Sequence, residues 1–278
     1  MGPAHPSLPV NASPPPQISV IVPVFRNAET LDELHRRLRQ TLETQDPNFE
    51  IIFVEDGGPD RSLAWLKQLA AADLRVGLIA LRQNVGQHAA ILLGLGHARG
   101  SWTVIMDADL QDPPEAIPDL VATGRSGFAA VFAGRRGHYE ARGRLFTSRL
   151  YRWLLWRLTG LPGDAGLFLA MDGRMRDRLL SMGGPHPSIV AMIGCSGLPL
   201  ASIPVVREAR LTGRSAYNSW SRLRSGLRAI HWILDWKWRK LTGGASVTRE
   251  PRQAAGPAFE RIGPHFDIQP ETVREELQ

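Results

Sequence analysis

Between Ile18 and Met106 the chain alternates short β-branched apolar runs with segments of helical spacing, and this alternation restricts the fold more than any other feature. Ile18 to Val24, Phe49 to Val54, Val76 to Leu81 and Trp102 to Met106 read as buried strands. Thr30 to Leu42 reads as a helix, with Leu31, Leu34, Leu38 and Leu42 on one face and Thr30 and Glu33 spaced as a capping box. Asp60 to Ala72 and Gln87 to His97 read as two more helices. Strand and helix in alternation predict an α/β fold, a mostly parallel sheet flanked by helices. Such sheets bind ligands beyond the carboxyl ends of their strands. Four polar loops, Pro23 to Glu29, Glu55 to Asp60, Arg82 to Gln87 and Asp107 to Gln111, follow strands and therefore converge on one rim.

The fourth loop opens with Asp107-Ala108-Asp109-Leu110-Gln111. Side chains two apart in extended chain point the same way, so Asp107 and Asp109 can converge on one hard cation, of the kind that takes oxygen ligands and is shared with substrate phosphates. Two acids in an ordinary surface loop would look the same; the company of three other loops on the rim sets this pair apart. The glycines of Gly94-Leu95-Gly96-His97-Ala98-Arg99-Gly100 do not make a dinucleotide-binding turn. That turn follows a strand and opens a helix, whereas this string ends a helix, and Gly100 reads as its C-cap.

A chain of 278 residues is long enough for one large α/β domain with its own core. Residues 1–17, with Pro14, Pro15 and Pro16 in a row, read as a disordered tail, and 243–278 as a flexible one. The α/β domain is expected at 18–217 and an amphipathic interfacial helix at 218–242. Cys195 is the single cysteine, so no disulfide forms within the chain, which fits a reducing compartment. No apolar stretch approaches the ~20 residues of a spanning helix, and the N-terminus lacks a signal-like core. The net charge is +6, and six of the eight tryptophans lie between 134 and 240 among arginines. Basic residues interleaved with tryptophan favour a membrane interface, and with no zinc-finger spacing or RNA-binding aromatic motif, nucleic acid is not an expected partner.

Three strings come in order: Ile18-Ser19-Val20-Ile21-Val22-Pro23-Val24-Phe25-Arg26-Asn27-Ala28-Glu29, Val54-Glu55-Asp56-Gly57-Gly58-Pro59-Asp60 and Asp107-Ala108-Asp109. Together they resemble glycosyltransferase family 2. Leu81-Arg82-Gln83-Asn84-Val85-Gly86-Gln87-His88 and Met106 through Glu115 resemble its polyprenyl-phosphate branch, and the likeness runs over about residues 18–235. It implies a GT-A fold, a UDP- or GDP-linked sugar as donor, a divalent cation (Mg or Mn) as cofactor, and a polyprenyl phosphate as acceptor. By resemblance Asp107 and Asp109 are metal ligands and catalytic, with Gln111 as a further oxygen ligand or a capping residue. Pro23, Phe25, Glu29, Glu55, Asp56, Asn84, Gly86 and Gln87 then fall where the donor nucleotide binds. Glu55 departs from the aspartate usual in the family, and Glu29 and Asn84 would equally serve as helix caps.

The acceptor side is read from Arg135, at the end of an expected strand (Ala129 to Ala133), through Arg144 and Ser148, four apart on an expected helix, to Arg210 and Ser215 in Arg210-Leu211-Thr212-Gly213-Arg214-Ser215-Ala216-Tyr217. Guanidinium forks match phosphate. Ala216 stands where the branch has lysine, with Arg214 nearby, and Leu167 and Leu169 stand where many relatives have an aspartate and an arginine. Asp164 is left as a sugar-hydroxyl partner or a turn residue. A phosphate acceptor, with its second pKa at about 6, is already an oxyanion at neutral pH and needs no dedicated base.

Trp220 to Leu241 reads as an amphipathic helix with Leu223, Leu227, Ile230, Leu234, Trp238 and Leu241 as its apolar stripe, and Arg149 to Leu161 reads similarly. The expected location is cytoplasmic, peripheral on the inner face of a membrane. Two other readings stay open: a relative with a soluble or saccharide acceptor, and a non-catalytic nucleotide-sugar-binding subunit.

Overall fold

The computed structural model describes residues 14–136, 155–182, 188–208, 219–242 and 259–262. Its strands are β1 (Ile18–Val24), β2 (Phe49–Glu55), β3 (Val76–Leu81), β4 (Trp102–Ile105), β5 (Ala130–Arg136), β6 (Leu169–Asp172), β7 (Leu200–Val206) and β8 (Phe259–Ile262). They form one sheet in the order β7-β5-β6-β4-β1-β2-β3-β8. β6 and β8 run against the other six. The order reverses at β1, whose neighbours are β2 on one side and β4 on the other, which is where a doubly wound sheet opens a crevice at its carboxyl end.

Both faces of the sheet are covered, and the strand sequences show why. Val20, Val22 and Val24 of β1 pack into one core, with α1 (Leu31–Glu43), α2 (Ser62–Ala72) and α4 (Ile117–Arg125). Ile21, between them, points into the other, with α3 (Gln87–His97), α5 (Gly173–Ser181), α6 (Ile189–Cys195) and α7 (Ser219–Leu241). A strand buried on both sides has no polar face to show, hence its unbroken apolar run. In α1 the leucines at 31, 34, 38 and 42 are the fully buried stripe that the spacing predicts.

Local details depart from the sequence reading. Thr30 and Glu33 do not form a capping box. The Thr30 hydroxyl donates instead to the Asn27 and Ala108 carbonyls, and Glu33 is taken by Arg36. Gly100 is not the C-cap of α3; Ala98 is. The glycine is needed for a close approach: its N–H donates to Ser19 Oγ at 2.7 Å, and a Cβ there would lie 2.6 Å from the Ser19 backbone nitrogen. Within 243–278, read from sequence as a flexible tail, Phe259–Ile262 is a strand pairing antiparallel with β3. Four residues among glycine and proline carry no periodicity to detect, and it is the unpaired edge of β3 that recruits them.

In α7 the stripe against the core is Ala229, Trp232, Ile233 and Trp236, the two tryptophans stacked at 5.7 Å. Of the apolar residues named from sequence, Leu234, Trp238 and Leu241 are 52%, 68% and 83% exposed. The helix therefore has two apolar faces, one used by the fold and one left outside. No helix among the described residues is long and apolar enough to cross a membrane. Of the segment Arg149 to Leu161, residues 155–159 are described as helical; Leu155 and Leu158 pack on the core, and Trp156 is exposed.

Candidate active site

The carboxyl ends of β1, β2, β3 and β4 bring the four polar loops to one rim, as their order in sequence requires. Glu55 and Asp56 close β2, and both carboxylates are buried. Glu55 turns back on its own loop and accepts from the Gly58 N–H at 2.6 Å and the Gly57 N–H at 3.2 Å. Asp56 reaches across to the loop after β3, accepting from the Val85 N–H at 2.7 Å, the Gly86 N–H at 3.0 Å and Asn84 Nδ2 at 3.0 Å. Burial pushes both carboxyls above their usual range, and these backbone donors partly offset it. Gly57 holds φ at +64°, and a Cβ on it would lie 2.7 Å from the Gln83 carbonyl carbon, so the two loops touch backbone to backbone.

That loop delivers Gln87 to the metal-ligand candidates: its Nε2 donates to Asp107 Oδ1 at 2.6 Å. β4 ends at Ile105, so Asp107 and Asp109 stand on a turn beyond the strand. The alternation inferred for a strand survives in burial, since Ala108 and Leu110 are buried while Asp107 and Asp109 are half-buried. Leu110 has φ +59°, the left-handed region that an apolar side chain rarely adopts. The Gln111 N–H donates to Asp109 Oδ1 at 3.1 Å.

The structure thus joins Asp56, Asn84, Gly86, Gln87 and Asp107 through one loop. Pro23 is buried at the tip of adjacent β1, and Phe25 lies just beyond it with the Arg26 guanidinium over its ring. Glu29 is exposed on the β1–α1 connection, and the N-cap of α1 is Thr30. Asn84 is no helix cap either, because its amide serves Asp56. Arg135 lies near the end of β5, opposite Val205 of β7. Arg144, Ser148, Arg210 and Ser215, and with them Arg214 and Ala216, lie outside the described residues. The Asp164 carboxylate lies against Gly134 of β5. Leu167 and Leu169, where many relatives are charged, pack into the core.

Four residues of the rim escape a reading of sequence. Asp60 accepts from the Ala28 N–H and from Ser62, tying the β1 and β2 loops together. Thr30 supports the Ala108 carbonyl. Asp112 and Arg207 form a two-toothed ion pair across 95 residues, and no local pattern links positions so far apart.

A family model described as Glycosyl transferase family 2 matches residues 19–176, from β1 through the acidic turn and into α5. The chain belongs to glycosyltransferase family 2. This family 2 chain is 34% identical over 211 residues to the undecaprenyl-phosphate 4-deoxy-4-formamido-L-arabinose transferase of Salmonella choleraesuis, covering 75% of this chain and 64% of the relative. It is 30% identical over 207 residues to YkcC, an uncharacterized glycosyltransferase of Bacillus subtilis, covering 72% and 63%. The match therefore spans a little under two thirds of either curated relative. Among solved structures it is similar to the mannosyltransferase PcManGT of Pyrobaculum calidifontis in complex with GDP-Man and Mn2+, with a TM-score of 0.57, 20% identity, and coverage of 87% and 71%. Glucosyl-3-phosphoglycerate synthase of Mycobacterium tuberculosis, in complex with Mn2+, UDP and phosphoglyceric acid, gives 0.57, 20%, and 79% and 78%. These likenesses establish the family 2 chain as a GT-A-type α/β fold.

Among the described residues no three His, Cys, Asp or Glu side chains cluster as a closed metal cage. The turn offers the two carboxylates of Asp107 and Asp109 and, in sequence, the Gln111 amide, all able to supply hard oxygen atoms. That set fits Mg2+ or Mn2+, which take one or two carboxylates and complete their shell with water and substrate phosphates.

Proposed function

We propose that this chain is an inverting, metal-dependent glycosyltransferase that moves a sugar from a nucleotide-sugar donor to a polyprenyl phosphate of the undecaprenyl type. The observation that carries the reading is the acidic turn at the tip of β4, beside the crevice at β1, with Asp107 oriented by Gln87. Asp107, Asp109 and Gln111 would hold the divalent cation. When bound, the ion offsets the negative charge that develops on the departing nucleoside diphosphate. Gln87 keeps the Asp107 carboxylate aimed, and Asp56 holds the loop that carries Gln87. Buried and engaged with backbone, Asp56 and Glu55 act by shaping the nucleotide pocket through these loops.

For the acceptor, the Salmonella relative's name supports a lipid phosphate. A phosphate oxyanion attacks without a general base, which suits a rim where the two β2 carboxylates are occupied by backbone N–H groups. Arg135, Arg144, Ser148, Arg210 and Ser215 are proposed to receive the acceptor phosphate. The outer apolar face of α7, with Lys237 exposed beside Leu234, Trp238 and Leu241, is proposed to rest on the cytoplasmic face of a membrane, where such an acceptor is embedded.

A screen of UDP- and GDP-linked sugars with undecaprenyl phosphate and Mg2+ or Mn2+ tests this reading by lipid-linked product. Transfer is expected from one donor and is expected to fall by roughly two to three decades in Asp109→Ala, the scale of several kcal/mol of charge stabilisation. Transfer to a free glycan and none to the lipid would overturn the acceptor assignment. Donor binding without transfer to any acceptor would favour a nucleotide-sugar-binding subunit.

A further inference from the structure

The turn that carries the metal-ligand candidates is strained, and the chain just past β7 holds it in place. Leu110, between Asp109 and Gln111, sits at φ +59° and is buried. A non-glycine residue persists there only when its surroundings over-determine it. Three supports reach this turn from elsewhere in the fold. Thr30 Oγ1 donates to the Ala108 carbonyl on its near side. On its far side the Glu208 N–H donates to the Gln111 carbonyl at 2.9 Å. One residue further on, Arg207 Nε and Nη2 donate to the two oxygens of Asp112 at 2.6 and 2.8 Å, and the Asp112 carboxylate is buried. Arg37 of α1 braces the same junction by gripping Glu208 and Glu115 together, each at 2.6 Å.

The arginine is also placed to feel the acids it supports. Burial works against its charge, but Asp112, then Asp109 and Asp107, outweigh that and raise its pKa above the ordinary range. A fork-to-fork pair fixes both partners in angle as well as distance.

We infer that Arg207 is a positioning residue for the donor site: its grip on Asp112 holds the Asp109-Leu110-Gln111 turn in the shape that presents oxygen ligands to the divalent cation. The inference rests on the metal-dependent reading above. It predicts that losing the pair loosens the turn and weakens ion binding in protein that is still folded.

The test is Mn2+ binding by the full chain, followed by the electron paramagnetic resonance signal of free Mn2+, with UDP and separately with GDP. Arg207→Gln and Asp112→Asn are each expected to weaken binding about tenfold, or about 1.4 kcal/mol. The double variant should be no weaker than the weaker single, because the two residues act through each other. Arg207→Lys keeps the charge but not the fork, and a smaller loss, about threefold, is expected. Melting temperature is recorded for each, since a purely structural pair would lower it and leave the ion affinity of the folded protein unchanged. Unchanged Mn2+ affinity in Arg207→Gln, or in Arg207→Lys if the glutamine variant does not fold, overturns the inference. Absence of Mn2+ binding by the unaltered protein with either nucleotide removes instead the donor-site reading beneath it.

Discussion

Glu55 and Asp56 are neighbours in sequence and equally buried, yet they hold different parts of the rim. Glu55 closes its own turn through Gly57 and Gly58, whereas Asp56 spans 29 and 30 residues to Val85 and Gly86. Gly57 follows both, at φ +64° and in backbone contact with Gln83 and Asn84. Gly57→Ala is therefore expected to cost about 2 kcal/mol, from the left-handed backbone together with a collision against main chain that cannot yield as a side chain would. Urea unfolding measures the loss, and KM for the donor should rise with it because the displaced loop carries Gln87. An unchanged KM would separate this loop from donor binding. The sequence exposed Gly57-Gly58 and Glu55-Asp56 as a polar turn after a strand. It did not expose that one carboxylate was already committed to the next loop, since hydrogen bonds across about thirty residues leave no periodic trace.

At the scale of elements, the end of the fold away from the rim shows how a turn between helix and strand is locked. Asp73 is the C-cap position of α2, and its carboxylate takes Arg75 Nε and Nη2 at 2.9 Å, with His35 of α1 3.5 Å away. Burial pushes the Asp73 carboxyl up, but the Arg75 guanidinium and backbone N–H overcome it and hold its pKa at about 2. A folded-state pKa below the unfolded value gives stability that is present above about pH 4 and lost as pH falls toward 2. The amount is about 2 kcal/mol, since each pKa unit is worth about 1.4. Asp73→Asn should remove that much of the pH dependence of urea unfolding between pH 5 and 2. An identical slope in the variant would show that other groups govern acid unfolding. The elements themselves were legible: α3 lies where the spacing puts it, at Gln87–His97, and β1 at Ile18–Val24. The capping interactions were not, as with Thr30 and Gly100, because they are decided by what lies opposite: Ala108 for the first, Ser19 for the second.

For the whole molecule, helix α7 packs one apolar face on the core and leaves another exposed. Its inner stripe is spent on Trp232, Ile233 and Trp236, so the exposed Leu234, Trp238 and Leu241 are surplus to the core. Trp238→Ser together with Leu241→Ser should leave the melting temperature unchanged, because neither side chain is buried by the fold. The same variant should lower flotation with anionic vesicles by tenfold or more, as each large apolar side chain buried in lipid contributes about 1.5–3 kcal/mol. Binding should also weaken in high salt if the basic residues contribute. Equal flotation of the double variant would rule out this face of α7 as the membrane contact. Periodicity identified α7 as amphipathic but assigned it one apolar face. A helical wheel ranks residues by angle and does not say which angle the core occupies.

The sequence by itself determined the layers and the rim. Short β-branched apolar runs alternating with helical spacing imply inner strands of a parallel sheet, and loops that follow parallel strands emerge together, which puts Asp107 and Asp109 on the rim. Only the tertiary structure decided what holds them there. Gln87 meets Asp107, Arg207 grips Asp112, and the turn around Leu110, at its positive φ, is met by Thr30 at the N-cap of α1 and by the chain just past β7. Such contacts join residues that the chain separates widely, and their energy depends on distance and burial in space, to which order along the chain is blind.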